Sequence, residues 1–416
     1  MQLEFGYGNG VQTVELPQEN LLGVLHAAPI EHERRGTDAV SWALAHPIGS
    51  APLHQLARPG QRITIVTSDI TRPLPSYQIL PGVLDELYRA GVRPEDITVV
   101  LALGSHRRHT PEEVIRLVGR ECYETVRCVD SDAADCIHLG DTAHGTPVDI
   151  TRAVAEADFR ICLGNIEFHY FAGYSGGRKS ILPGICGKKT VQDNHARMVE
   201  ILDHMPPIRE NPISLEMIEA ARKVGVNFVF NAVMNADNQV VRLVAGDLVE
   251  AWYEAVDTSS SMYEIPFTEP VDIAVSSACG YPRDVNWYQA QKAIDHADKI
   301  VKPGGTIIVC GECRDGYGNK VFEEWMKKKL PPEEVMREIR AHFVLGGHKA
   351  FAFAKVASEK KLVLVSSMNA EDTATLYGTK AASVQEAFDQ AVAACPDASI
   401  AIMPEGGLTL PVHMNA

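Results

Sequence analysis

The chain has 416 residues, 45% of them hydrophobic and 22% charged, with a formal net charge of −15. That is enough material for two domains with ordinary globular cores. A negative surface excludes nucleic acid as the main partner, because phosphate backbones are met by basic faces, and no apolar run approaches the roughly 18 residues that span a bilayer.

The N-terminal MQLEFGYGNG lacks the basic start and long apolar run of a secretory leader. Nine scattered cysteines, an odd number, argue against a disulfide framework and for a reducing, cytoplasmic setting. Gln2 to Tyr7 and Val11 to Leu16 read as strands around a Gly8-Asn9-Gly10 turn. Ile63 to Thr67 is a short β-branched run, as in a buried parallel strand, and it ends in SDITRPLP. A helix follows with Pro81 near its start, an apolar face of Val83, Leu84, Leu87 and Tyr88, and Gly91 at its end. Ile97 to Leu103 is a second buried strand, followed by the loop GSHRRHT. Thr110-Pro111-Glu112-Glu113 is a capping box with proline at the first helical position, so a helix starts there.

This alternation is a βαβ arrangement with a parallel sheet, and ligands of such sheets gather beyond the carboxyl ends of the strands. Three strand ends then share one edge: Asp69 to Arg72, Ser105 to His109, and a third fed by the strand Phe159 to Leu163. The third carries five glycines between Gly173 and Gly187, which predicts a tightly folded loop rather than a helix or strand. A helix leaves it near Lys189. Two strands over 226–246 and a helix from Leu248 complete a first domain, 1–265. The pattern restarts after Pro266 with strands at Val271–Ser276, Thr306–Cys310, Leu362–Ser366 and Ser399–Met403, and with helices between them. The expectation is a two-domain α/β fold, each domain with a mainly parallel sheet flanked by helices. The active site is expected in the interdomain cleft, and the tail of the 266–416 domain to pack back on the first.

The chemistry-bearing groups crowd around the glycine stretch. It nearly spells a phosphate-binding loop, but Arg178 stands where the second glycine belongs. Arg178 and Lys179 among exposed N–H groups read instead as an anion site, with Lys179 also suited to act as an amine nucleophile or covalent tether. His106, His169 and His195 lie on the same edge, as acid/bases or as a trihistidine zinc site, although no i, i+4 histidine pair is present. His109 reads as a spare surface residue, and the lone pair Cys310 and Cys313 lacks a second C-x-x-C to complete a zinc site. In the second domain, Gln289 and Lys292 share one helix face and suit a carboxylate, while Trp287 and Tyr288 wall a pocket or pack in the core.

The segments SDITRP, GSHR, EFHYFAGYSGGRKSILPG, DNHAR and NWYQAQK together resemble the nickel-dependent lactate racemase family of 2-hydroxyacid racemases and epimerases. The resemblance covers both domains. It implies nickel held in a pyridinium-3,5-bisthiocarboxylic acid mononucleotide, the nickel-pincer nucleotide, tethered to Lys179 with His195 as the metal ligand. It implies catalytic histidines at His106 and His169, cofactor contacts from Asp69, Ile70, Thr71 and Arg72, and substrate contacts from Arg72, Tyr288, Gln289 and Lys292. The implied partners are a small 2-hydroxycarboxylate and the enzymes that synthesise the cofactor, and homo-oligomerisation is left open. The alternatives from other classes are a histidine-liganded, metal-dependent hydrolase and a non-catalytic nucleotide- or anion-binding protein.

Overall fold

The computed structural model describes residues 1–414 apart from 17–19, 31–33, 105 and 202–204. The chain forms two compact units, Ile30–Ser260 and Met1–Pro29 with Ser261–Ala416.

Ile30–Ser260 is built on a six-stranded sheet in the order Val240–Gly246, Phe228–Met234, Phe159–Ile166, Ile63–Ser68, Ile97–Ala102, Arg127–Asp130. All neighbours are parallel except the Phe228–Met234 and Val240–Gly246 pair. The central strands are buried along almost their whole length and mostly apolar, as in a parallel sheet covered on both faces. The helix expected to start near Pro81 begins five residues earlier and runs Ser76–Arg89, with Pro81 inside it. A proline that early removes only one intrahelical bond, and Ser76 anchors the start through its hydroxyl contact with Thr67, 2.6 Å away. The capping box forms: Thr110 Oγ1 accepts the Glu113 N–H at 3.3 Å, and Glu113 Oε2 accepts the Thr110 N–H at 2.9 Å.

In the other unit the sheet order is Gly378–Ala381, Lys361–Val365, Val301–Cys310, Val271–Ser277, Ile400–Met403, Leu21–Val24, all parallel. The last strand corrects the expected division at residue 265. Residues 1–29 pack in this unit, because Leu21–Val24 completes the sheet edge beside Ile400–Met403. The opening hairpin, Gln2–Tyr7 with Gly10–Glu15, buries Phe5, Val14 and Leu16 in the same core as Ile273, Val275 and Ile308. The tail strand Leu410–His413 also stays in this unit, paired in parallel with Glu264–Phe267. Trp287 is fully buried and sits edge-on to Phe353 at 6.1 Å, so it packs in the core. Cys310 and Cys313 are buried, and burial pushes both thiols up, which leaves them unreactive.

His296 ties the helix Trp287–Asp298 to the segment after Ile400–Met403 by donating its Nδ1–H to the Gly406 carbonyl at 2.8 Å. Burial pushes its imidazole down to about 3. An unfolded imidazole takes up its proton near 6.5, so between about 6.5 and 3 the unfolded chain binds a proton that the folded one refuses. Stability therefore rises with pH across that window, by up to about 1.4 kcal/mol per pH unit. The urea midpoint of the protein should fall as the pH is lowered from 6.5 to 4.5, and the fall should be shallower in His296→Gln. Equal slopes would rule out this histidine as the cause.

Candidate active site

The glycine stretch is not a plain loop. It contains the two-residue pair Phe168–His169 with Gly173–Tyr174 and a helical turn, Gly177–Ile181. Glycine is required where this backbone lies directly on the sheet. A Cβ on Gly164 would come within 2.6 Å of the Gly176 carbonyl carbon and the Gly177 nitrogen. One side chain from the sheet and one from the stretch itself complete the attachment. Asn231 Oδ1 accepts the Gly177 N–H at 2.9 Å, and the Ser180 hydroxyl donates to the Leu163 carbonyl at 2.7 Å.

Arg178 corrects the anion-site reading. Its side chain is fully buried. Its guanidinium donates to the carbonyls of Ala172, Tyr174 and Ser175 and to the Ser214 hydroxyl, and lies over the Trp252 ring at 3.8 Å. Burial pushes it down to about 9, still cationic at neutral pH. Its two terminal nitrogens are engaged by the protein, and it holds the loop together.

Lys179, next in sequence, is half-buried and points elsewhere. Its Nζ lies 5.7 Å from the centre of the Phe171 ring. The same ring meets His169 edge-on at 4.4 Å and His195 at 4.9 Å. Three of the expected site residues thus converge on one phenylalanine. His195 is buried, and burial, with the nearby charge of Lys179, pushes its imidazole down to about 3. It is therefore neutral, with a lone pair to give. Its neighbours in DNHAR fix the helix Lys188–Ala196: Asn194 donates to the buried Glu216 carboxylate at 2.8 Å, and Arg197 approaches it at 3.3 Å. Burial alone would raise the Glu216 carboxyl, but these partners and Thr142 and Thr146 hold it below its ordinary range.

The other two strand ends join this edge. The Gly104 N–H donates to the Gly184 carbonyl at 2.8 Å, tying the loop after Ile97–Ala102 to the glycine stretch. Asp69, buried at the end of Ile63–Ser68, accepts the His106 Nδ1–H at 2.5 Å and the Thr71 hydroxyl at 2.9 Å. Burial pushes the Asp69 carboxyl up, but the hydrogen bond and charge of His106, with Arg72 and Thr71, outweigh it and leave the group below its usual range. When neutral, the half-exposed His106 keeps its proton on Nδ1, facing Asp69, and presents a bare Nε2. His169 is set the other way: its Nδ1 accepts the Ala172 N–H at 3.3 Å, so its neutral ring carries the proton on Nε2. Asp69 therefore braces a histidine, a role the sequence did not suggest. His109 is not a spare surface residue. Its side chain is 1% exposed and bonded at both ring nitrogens. Asp130, one strand over, was the signal that could have found it.

On the helix Trp287–Asp298, Gln289 is exposed, while Tyr288 and Lys292 are half-buried. Beside them lie two residues that sequence reasoning missed. Lys349 donates to Gln291 Oε1 at 2.8 Å with its Nζ 5.4 Å from the Tyr288 ring centre, and His348 Nε2 lies 3.4 Å from the Tyr288 hydroxyl. Among the described residues no three His, Cys, Asp or Glu side chains cluster as a metal site, so the trihistidine arrangement does not form. None of the helices among those residues is long and apolar enough to cross a membrane.

Family models for the lactate racemase N-terminal and C-terminal domains match residues 7–204 and 267–410. The chain belongs to the lactate racemase family. It is accordingly an isomerase. It is 32% identical to the lactate racemase of Thermoanaerobacterium thermosaccharolyticum over 97% of each chain. It is also 32% identical to the lactate racemase of Lactiplantibacillus plantarum, over 97% of this chain and 98% of that one. The solved apoprotein from Thermoanaerobacterium thermosaccharolyticum matches with a TM-score of 0.91 at 31% identity, over 99% of this chain and 100% of that one. A Thermotoga maritima protein, 16% identical with a TM-score of 0.68 over 93% of this chain and 100% of its own, shares the fold.

In this racemase family member the close approach at Gly164 is testable. Gly164→Ala should lift the glycine stretch from the sheet and cost about 1–3 kcal/mol, as overpacking does. Gly23→Ala, where an added Cβ meets nothing within 4 Å, should change far less. Differential scanning calorimetry reads both, and equal melting temperatures would contradict the contact.

Proposed function

We propose that the protein racemises lactate or a lactate-like 2-hydroxyacid with a nickel-pincer nucleotide bound at Lys179 and His195. The observation that carries this reading is the convergence of Lys179, His195 and His169 on the Phe171 ring. The donors suit the group. A neutral, buried imidazole is a ready metal ligand, and an amine close enough to perturb it can be joined to the same molecule. The relatives named lactate racemase support the substrate class.

The carbinol C–H of a 2-hydroxyacid is not acidic enough for a histidine to remove as a proton. When bound, the pincer nucleotide supplies a hydride acceptor instead. The protein's own groups handle the proton and the carboxylate. His106, with Nδ1–H held by Asp69, takes the hydroxyl proton on Nε2. His169 returns a proton to the oxygen when the planar keto acid is attacked on its other face. A ring can give that proton only when it carries two, so the productive state pairs a bare His106 with a doubly protonated His169. Charging His169 releases its contact with the Ala172 N–H. The opposite enantiomer starts with the two charge states exchanged. In this reading Ile70, Thr71 and Arg72 are the cofactor contacts of the Ile30–Ser260 unit, and Gln289 and Lys292, with Tyr288 beside them, are the carboxylate contacts supplied by the other unit's helix Trp287–Asp298. The histidine-liganded, metal-dependent hydrolase would need a protein-built metal cluster, which the described residues do not form.

Protein produced with the cofactor-synthesis enzymes should carry added mass on Lys179, and Lys179→Ala should carry none. The loaded protein should erode the optical purity of D- and L-lactate alike, followed by chiral chromatography. His106→Ala and His169→Ala should keep the added mass yet lose about 10²–10⁴-fold in kcat. Loaded protein that leaves every pure 2-hydroxyacid unchanged would overturn the assignment.

A further inference from the structure

We propose that His109 is a positioning residue for the reaction: it fixes the segment that carries Asp69, and through Asp69 it fixes His106. This rests on the reading of His106 as an acid/base. Three neighbouring strands supply the parts. Ile63–Ser68 leads into Asp69, Ile97–Ala102 leads into the loop carrying His106 and His109, and Arg127–Asp130 ends at Asp130.

The middle loop is therefore fastened on both sides. Towards one neighbour, His106 Nδ1 donates to Asp69 Oδ2 at 2.5 Å. Towards the other, His109 Nδ1 donates to Asp130 Oδ1 at 2.6 Å, and the His109 backbone N–H donates to Asp130 Oδ2 at 3.0 Å. The second nitrogen of His109 then reaches back across the loop. Its Nε2 accepts the backbone N–H of Ile70 at 3.1 Å. An N–H donor can meet only a bare nitrogen, so the neutral His109 ring keeps its proton on Nδ1, facing Asp130.

Asp130, His109 and the Ile70 N–H form one hydrogen-bonded run, Asp69 and His106 form another, and the covalent backbone between Asp69 and Ile70 joins the two across three strand ends. The Ile70 peptide lies next to Asp69 in the backbone, so its position sets where the Asp69 carboxylate sits. That carboxylate decides which nitrogen of His106 holds a proton and where the other one points. His109 itself is 1% exposed with both ring nitrogens engaged, so its part in the reaction runs through Asp69. A small displacement of an acid/base from its working geometry costs about 10²-fold.

His109→Phe keeps a ring of similar size but loses the acceptor for Ile70 and the donor to Asp130. In loaded protein it should lower kcat about 10²-fold, change KM far less, shift the pH profile of kcat, and leave the added mass on Lys179 unchanged. His109→Gln, whose amide oxygen can accept the Ile70 N–H, should recover most of the rate. Long-range ¹H–¹⁵N correlation spectra of histidine-labelled apoprotein provide a readout that needs no activity. Wild type should show both His106 and His109 protonated on Nδ1 alone when neutral, and in His109→Phe the His106 signals should move to a mixture of tautomers. Asp130→Asn gives a second variant should the first not fold, with the same expected disturbance at His106. A His109 protonated on Nε2 in wild type, or a His106 tautomer and kcat unmoved by either variant, would overturn the proposal. If the loaded wild type has no racemase activity, the proposed function fails, while the spectra still judge the bracing on their own.

Discussion

A buried guanidinium organises the site. Removing a charge from water is costly, and the cost is met only where the surroundings supply hydrogen bonds. Around Arg178 those come from the loop's own backbone: the carbonyls of Ala172, Tyr174 and Ser175 turn inward onto it, and the Trp252 ring covers its face. A glycine-rich segment has few ladder partners for its carbonyls, so the arginine answers a need the loop creates. One consequence reaches the chemistry. Successive residues of a helical turn point about 100° apart, so anchoring Arg178 inward turns Lys179 away from it, towards Phe171 and the neutral imidazole of His195.

That division of labour marks what a linear reading can reach. The spacing made Arg178 and Lys179 an adjacent pair of cations and assigned both to a ligand. Direction is set by packing, and packing places one in the core and the other beside the histidines. His109 escaped notice for a related reason. A histidine in an Arg-rich loop reads as solvated, and the partner that buries it, Asp130, belongs to a different strand, 21 residues away in the chain. By contrast, the loop carrying His106 and the glycine stretch could be placed on one edge in advance, because strand ends of a parallel sheet share one edge whatever the loops contain.

The fold divides in the same way. Buried β-branched runs alternating with capped helices made the parallel sheets legible. Local signals could not assign residues 1–29 to a unit, because what decides it is Leu21–Val24 pairing with Ile400–Met403, nearly the whole chain apart. Nor could they follow Val301–Cys310 through its early Lys302-Pro303-Gly304-Gly305. That stretch reads as a turn, but the strand passes through it with a register shift against Val271 and Ile273.

As the acid/bases of the proposed reaction, His106 and His169 are not mirror images, although a racemase must treat mirror-image substrates evenly. At equilibrium the two enantiomers have equal free energy, so any asymmetry between the bases must cancel over the complete cycle. It can still appear in how the protein waits. Asp69 holds His106 with its proton inward and its outer nitrogen bare, while the Ala172 N–H holds the neutral His169 with its proton outward. One ring is therefore braced by a carboxylate that tolerates a gained proton, and the other by a backbone donor that opposes one. Interconversion of the two charge states then requires the contact between the Ala172 N–H and His169 Nδ1 to be released. The Phe171 side chain touches His169 and His195 and lies under Lys179. The same aromatic ring that gathers the site together is thus the part most directly coupled to the proton state of His169.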